Sequence, residues 1–434
     1  FHDTLYKYLQ EASTERLVRI QSAYIVDYLQ RHDVLLLWRH HRINKHFAKA
    51  AELMAQLART EVNTPINNRI EYFTRAVQSA QEHRNAVGQQ AMSALPPAGT
   101  EQVTELQEQL EVAYLQLTVY EALRKRKEGA EAGLNPTQEQ MENLRLQLLD
   151  VSSIYNDYAA KFCEWGLCLQ IIHVCQHDNP EVVTQLWRAL VWRQVPEKAQ
   201  NPDVSQWLQR CRSGVLEDPS RPYAPGAFED ENWLSGLQKD VLTVCRQLLT
   251  SSSATTGASS SSTGSAGAGR ALPLDLVVLE LEMIAAKHNW IGQARPVDFS
   301  SSTDGSSLRG WVARVLLEAG VPYLTLFQVY AGTLQRVVRQ QASLQLHLLY
   351  CITELLIAWT QAAGLRGGMG SMVATGMQEP AAALNWALGN GLGQQIDEFK
   401  TKLSTLAAPG VSAEDAEACI SQLRYVESLL VALF

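Results

Sequence analysis

The sequence predicts an all-α protein, an irregular α-solenoid of stacked antiparallel helix pairs. Three observations carry that expectation. Apolar residues recur with helical period along almost the whole chain, as at Phe47, Ala50, Ala51, Met54, Leu57 and Ala58, which fall at i, i+3, i+4, i+7 and onward. Helix-start signals recur between these runs, each a capping Asn, Asp or Thr beside a proline suited to a first helical turn. Strand-type alternation bounded by turn residues is hard to find anywhere in the chain.

The elements follow in order. The opening FHDTLYKYLQ already reads as amphipathic helix, and Asn44-Lys45 reads as the turn between two helices. Asn63-Thr-Pro65 precedes INNRIEYFTRAVQSA, Asn135-Pro136 precedes TQEQMENLRLQLLDV, and Asp178-Asn-Pro180 precedes EVVTQLWRAL. Leu144, Leu148, Val151, Tyr155 and Tyr158 continue one apolar stripe. Asp178 is the expected cap of the helix opening at Pro180. Helices of ordinary length joined by short turns fold into antiparallel pairs that stack one on the next. No fixed repeat of the tetratricopeptide or ankyrin kind is present.

Three stretches break the pattern. Residues 250–269 (TSSSATTGASSSSTGSAGAG) have no core-forming residues and are expected to be a disordered insertion. Residues 298–307 read as a smaller loop, and residues 195–230 as loop with at most a short helix from Val204 to Arg212. Helical pattern resumes on either side of each, so residues 1–434 read as one solenoid.

With 46% hydrophobic residues over 434 positions, the chain can bury a sizeable core. Its 37 Lys+Arg against 45 Asp+Glu give a net charge of -8, which lacks the basic excess of a nucleic-acid binder. Seven thinly spread cysteines suit a reducing compartment. The chain opens without Met, inside a helix, as a piece of a longer protein would. The most apolar run, Leu346 to Leu365, contains His347 and Glu354. A mid-span carboxylate costs a membrane helix about 2.5–3.5 kcal/mol, so this run reads as a buried core helix.

The chemical motifs resolve into packing. In CEWGLCLQIIHVCQHD (163–178), helical rotation places Cys163, Cys168 and Cys175 in one wide apolar arc with Ile171 and Val174. His173 and His177 fall outside it or at its margin, so Cys168 and Cys175 are read as core residues. A structural zinc site wants paired ligands such as C-x2–4-C with a second pair nearby, and no second pair accompanies Cys163 and Cys168. A metal or thiol enzyme built on this helix is the competing expectation. His40, His41 and His46 include no i, i+4 pair and are read as solvated surface histidines. The run Gly364 to Gly376 lacks the Lys of a phosphate loop and follows a helix, so it reads as a connection. No catalytic motif and no cofactor site is found.

Among the aromatics, Trp187 shares a face with Val183, Leu190 and Val191 and is expected in the core. Trp192 is turned about 140° from it by helical rotation, beside Arg188 and Arg193, and is a candidate anchor for a partner peptide.

Nine segments together resemble the C-terminal α-solenoid of the large inner-ring scaffold nucleoporin of the nuclear pore, the 155/170-kDa family. They are residues 1–9, 35–58, 66–80, 153–162, 171–187, 272–282, 288–290, 316–330 and 346–359, in the family's order. The sequence departs from the family pattern through 195–270 and 364–376. The resemblance implies a structural, non-enzymatic scaffold subunit at the nuclear envelope. It further implies binding to short linear segments of linker nucleoporins and contact with neighbouring inner-ring subunits. No nucleic acid and no direct membrane contact are expected of this part of the protein. Tyr323, Phe327 and Tyr330 are named with Trp192 as candidate partner residues, against a core reading supported by the i, i+3 spacing of Leu324 and Phe327. A solenoid of a vesicle coat or tethering complex is the alternative.

Overall fold

A computed structural model describes residues 2–61, 63–88, 100–128, 135–177, 179–193, 232–255, 271–292, 310–337, 342–366, 380–405 and 413–433. Among these the regular structure is helical throughout, with no strand. The expected loops at 195–230 and 298–307 lie outside the described residues, as do 256–269 and 367–376. Two boundaries shift: residues 250–255, assigned to the Ser/Gly insertion, end a helix, and Gly364 to Arg366 continue the helix before the glycine-rich run.

The chain divides into two compact units, Phe1–Glu164 and Trp165–Phe434. The first begins with α1 (His2–Ala12), α2 (Thr14–Val18), α3 (Ala23–His32) and α4 (Val34–Ile43). Tyr6, Leu17, Ile25, Leu29 and Leu37 form their common core. The helix starts are locally encoded. Ser22 Oγ accepts the Tyr24 N–H, and Asp33 Oδ1 accepts the N–H groups of Leu35 and Leu36, both at 3.0 Å. Lys45 adopts φ 61°, and this left-handed residue turns the chain from α4 into α5 (Phe47–Thr60).

The stripe read from α5 is borne out: Ala50, Ala51, Met54 and Ala58 are fully buried, with Phe47 and Leu57 at the margin. Small residues on this face let α6 (Ile66–Gly88) approach, and α7 (Thr100–Glu128) packs behind α6 around Phe73, Ala76, Val103 and Leu106. Next come α8 (Gln138–Leu146) and α9 (Val151–Ser153), the latter passing into a π-helical turn at Ile154–Ala159. Thr137 and Gln140 form a capping box at the start of α8.

The single stripe expected from Leu144 to Tyr158 is therefore interrupted. The break is held by Gln116 of α7, whose buried amide donates to Leu144 O (2.7 Å) and Gln147 O (2.5 Å) and accepts the Leu149 N–H (3.0 Å). A side chain distant in sequence replaces the hydrogen bonds that a continuous helix would have made.

In the second unit, α10 (Trp165–Val174) and α11 (Pro180–Arg193) form a hairpin, and Asn179 Oδ1 caps α11 by accepting the Val182 N–H. Asp178, the expected cap, lies outside the described residues. α12 (Asn232–Thr255) packs on α10 and on α14 (Trp311–Ala319), and α13 (Leu274–Gly292) packs on α11 and on α15 (Tyr323–Arg336). Gly320, at φ 102°, ends α14 and lets the Val321 N–H reach Leu316 O. The final helices are α16 (Ala342–Arg366), α17 (Pro380–Gly389), α18 (Leu392–Thr405) and α19 (Ala413–Leu433).

α16 is in contact with α13, α15, α17 and α19. That position explains its all-round apolar sequence: its span Leu344–Ala363 is long and apolar enough to cross a membrane, yet 78% of that window is buried against other helices. Glu354, the carboxylate inside this run, accepts the Gly310 N–H at 2.8 Å and so caps α14 from the side.

Candidate functional site

The first unit presents an open groove of about 530 Å³ lined by Trp38, Arg39, Arg42, Ile43, Phe47 and Glu82. Its shape follows from the faces of α4. Leu36, Leu37, His40 and His41 point inward, which leaves Trp38 and Arg42 toward α6 and Arg39 and Ile43 toward solvent. The Trp38 indole N–H donates to Ser79 Oγ of α6 at 3.1 Å. The guanidiniums of Arg42 and Arg75 lie over its ring, 5.1 and 5.0 Å from the centroid. Arg42 is forked onto Glu82 and Arg75 is paired with Glu71, so these cations are partly neutralised. Ile43 is 48% exposed, and Arg39 makes no ion pair among the described residues. The groove thus has an apolar floor and an uncompensated cation at its rim, the chemistry that holds an apolar side chain next to an acidic group.

The neighbouring histidines correct the sequence reading. His40 and His41 are buried, not solvated. His40 Nδ1 lies 2.8 Å from Val18 O, and Asn44 donates to His40 O at 2.9 Å, which ties the end of α4 to α2. His41 is enclosed with its Nδ1 unpartnered. Burial, then the nearby His40, His46 and Lys49, lower its pKa from the ordinary imidazole value to about 4. It is a neutral core residue at physiological pH.

The cysteine-rich stretch divides differently from its helical projection. Cys163 adopts φ 60° and closes the preceding helical turn, with its N–H on Ala160 O, so it lies before α10. Cys168 is fully buried, as expected. Cys175 is exposed, because Gln176 at φ 50° ends the helix there and carries the chain out of the core. The boundary between the two units also falls inside this stretch.

Trp187 is in the core, and its indole N–H donates to Ala271 O at 2.8 Å. Arg188 is not available beside Trp192, because it pairs with the buried Glu280 of α13 at 2.8 Å. The side chain of Trp192 lies outside the described residues. Phe327 and Tyr330 are buried and present no surface to a partner as they stand. Phe327 packs between Trp359 and Phe399, with ring centroids 6.3 and 6.4 Å away. Tyr323 is half-buried and stacks on Trp359. These residues weld α15 to α16 and α18, in line with the core reading.

α13 carries two buried carboxylates on opposite faces. Glu280 meets Arg188, whereas Glu282 accepts the Tyr330 hydroxyl at Oε1 and lies 2.7 Å from His347 Nε2 through Oε2. Cys351 Sγ is 3.5 Å from the same Oε2 and 3.6 Å from His347 Nε2. Composition gave no hint of this cluster, but the spacing of His347 and Cys351 at i, i+4 on one helix was a usable signal.

Stacked helices with no strand among the described residues define a protein of the α-solenoid class. The chain belongs to the family described as non-repetitive/WGA-negative nucleoporin C-terminal, whose model matches residues 1–217. It is 26% identical over 238 residues to nucleoporin NUP170 of Chaetomium thermophilum, 52% of this chain and 16% of that protein. It is 26% identical over 161 residues to nuclear pore complex protein Nup154 of Drosophila melanogaster, 36% of this chain and 11% of that one. The matched part thus spans about a sixth or less of these relatives. The fold is that of the C. thermophilum Nup170 CTD, solved alone (TM-score 0.57, 21% identity, 100% of this chain, 71% of that one). The same domain solved in complex with Nup145N gives TM-score 0.59 at 17% identity, covering 99% of this chain and 70% of that one. Family membership decides against the coat or tethering alternative.

Proposed function

We propose that this chain is the helical part of a scaffold subunit of the nuclear pore's inner ring, located at the nuclear envelope, with a structural rather than catalytic role. The family match over residues 1–217 carries the reading. Binding to short linear segments of other nucleoporins is the second half of the proposal, and the related domain solved in complex with Nup145N supports it. A disordered segment pays ordering entropy on docking, so each contact is modest and assembly sums many of them. The groove of Trp38, Arg39, Ile43 and Phe47 is the proposed seat for an apolar side chain flanked by an acidic one.

Two measurements test this. The tagged full-length protein is expected at the nuclear rim, and its absence there refutes the scaffold role. Peptide arrays tiled across linker nucleoporins should yield segments that bind the 434-residue chain, with affinity lowered about tenfold or more by Ile43→Asp or Arg39→Glu. Binding unchanged in both variants moves the site elsewhere.

A further inference from the structure

We propose that Glu282, His347 and Cys351 form a transition-metal site suited to zinc, clamping α13 to α16. His347 and Cys351 stand one turn apart on α16 and face the same way, while Glu282 comes across from α13. Their donor atoms form a triangle of the right size. Its sides are 2.7 Å (Oε2–Nε2), 3.5 Å (Oε2–Sγ) and 3.6 Å (Sγ–Nε2). An ion at ordinary zinc distances, about 2.0 Å to oxygen and nitrogen and about 2.3 Å to sulfur, then sees both angles involving sulfur near 110°. The oxygen–nitrogen angle is about 85° and reaches tetrahedral if that pair opens by about 0.6 Å. The fourth position is left to a non-protein ligand.

The surroundings fit a metal in three further ways. Mixed nitrogen, oxygen and sulfur donors select zinc-like ions over magnesium or calcium. Tyr330 bonds the other Glu282 oxygen and so orients the carboxylate with Oε2 toward the site, the usual outer support of a metal ligand. Glu282 is 1% exposed, and among the described residues its partners are Tyr330, His347 and Cys351, with no Lys or Arg. A divalent ion bound by one carboxylate and one thiolate makes the buried site electrically neutral. Glu354, the next carboxylate along α16, is committed to capping α14 and stays outside the ligand set.

The chemistry balances simply. Burial and the charges of Glu282 and Glu354 hold the Cys351 thiol well above its ordinary pKa, so it carries its proton without metal. Zinc forms a bond to Sγ as the S–H bond breaks, and one proton leaves to solvent. No electron moves.

The test uses the 434-residue chain, stripped with a chelator and titrated with zinc against a chromophoric competitor. One saturable equivalent is expected, with an affinity loss of at least tenfold in Cys351→Ser and His347→Asn and a smaller loss in Tyr330→Phe. Cobalt in place of zinc should give a thiolate charge-transfer band that Cys351→Ser abolishes. X-ray absorption on the zinc-loaded wild-type chain needs no variant, and it should show one sulfur and otherwise nitrogen or oxygen neighbours. Absence of saturable zinc binding, an all-nitrogen/oxygen shell, or a cobalt band that persists in folded Cys351→Ser overturns the proposal.

Discussion

Arg69 should be the most damaging single polar residue to remove from the first unit. It sits in the first turn of α6, only 4% exposed, and its guanidinium donates to four backbone carbonyls. They are Thr64 O at 3.1 Å, Glu61 O at 2.6 Å, Leu146 O at 3.0 Å and Ala58 O. Ala58 lies in the last turn of α5 and Leu146 ends α8, so one side chain closes the carbonyl ends of two helices. Arg69→Met keeps much of the volume but leaves those carbonyls unpaired in a dry environment. Each charge-assisted bond is worth about 1.5–3 kcal/mol, offset by the desolvation cost of the guanidinium itself, so a net loss of about 3–5 kcal/mol is expected. Arg69→Lys should cost about half as much, since an ammonium has three donors and no fork. Because the chain has two units, a single melting curve is not a clean readout. Amide hydrogen exchange is the better assay, as opening free energies in α6 and α8 should drop together by the stated amount. A loss under about 1 kcal/mol in Arg69→Met, or exchange changes confined to α6, would show that the carbonyl staple is not what holds α8.

Three further outcomes are expected. In Gly166→Ala the new Cβ would stand 2.8 Å from Val244 Cγ2, so α10 and α12 must separate; about 1–3 kcal/mol should be lost, and Val244→Ala should recover part of it. Gln116→Leu should cost about 2–4 kcal/mol and raise exchange at Leu149, whereas an unaffected Leu149 amide would mean the break after α8 needs no support from α7. His41 has a folded pKa of about 4, so below its unfolded value the unfolded chain gains a proton that the folded chain refuses. Stability is thus fully present above about pH 6.5 and is lost by about 2–3 kcal/mol as pH falls toward 4. His41→Phe should flatten that part of the acid-unfolding profile, and an unchanged slope would remove His41 as its cause.

Legibility differed from element to element for physical reasons. The α5 stripe was readable because its burial depends on a period of 3.6 and on alanines small enough for α6 to approach. The start signals place the helix openings near Pro136 and Pro180, but the capping residues are Thr137 and Asn179, because which side chain meets a free amide depends on the backbone geometry of the turn. The histidines after Trp38 depart from the solvated expectation because polarity does not fix exposure: His40 and His41 are both buried. His40 is buried against Val18, more than twenty residues away, which offers it a carbonyl, and His41 is enclosed with no partner on its Nδ1. Cys175 leaves the apolar arc because α10 ends at Val174 and Gln176, at φ 50°, turns the chain away.

The same division holds for the candidate sites. The helical class, the inward face of α5, Trp187 in the core and the non-membrane reading of α16 all follow from periodicity and composition, which are local properties of the chain. Which helix meets which is not local. The interruption at Gln116, the staple at Arg69, the cap that Glu354 lends to α14 and the meeting of Glu282 with His347 and Cys351 each join residues from about 30 to nearly 80 positions apart. A buried polar group must find its partner wherever the packing brings one, and only the tertiary structure decides where that is.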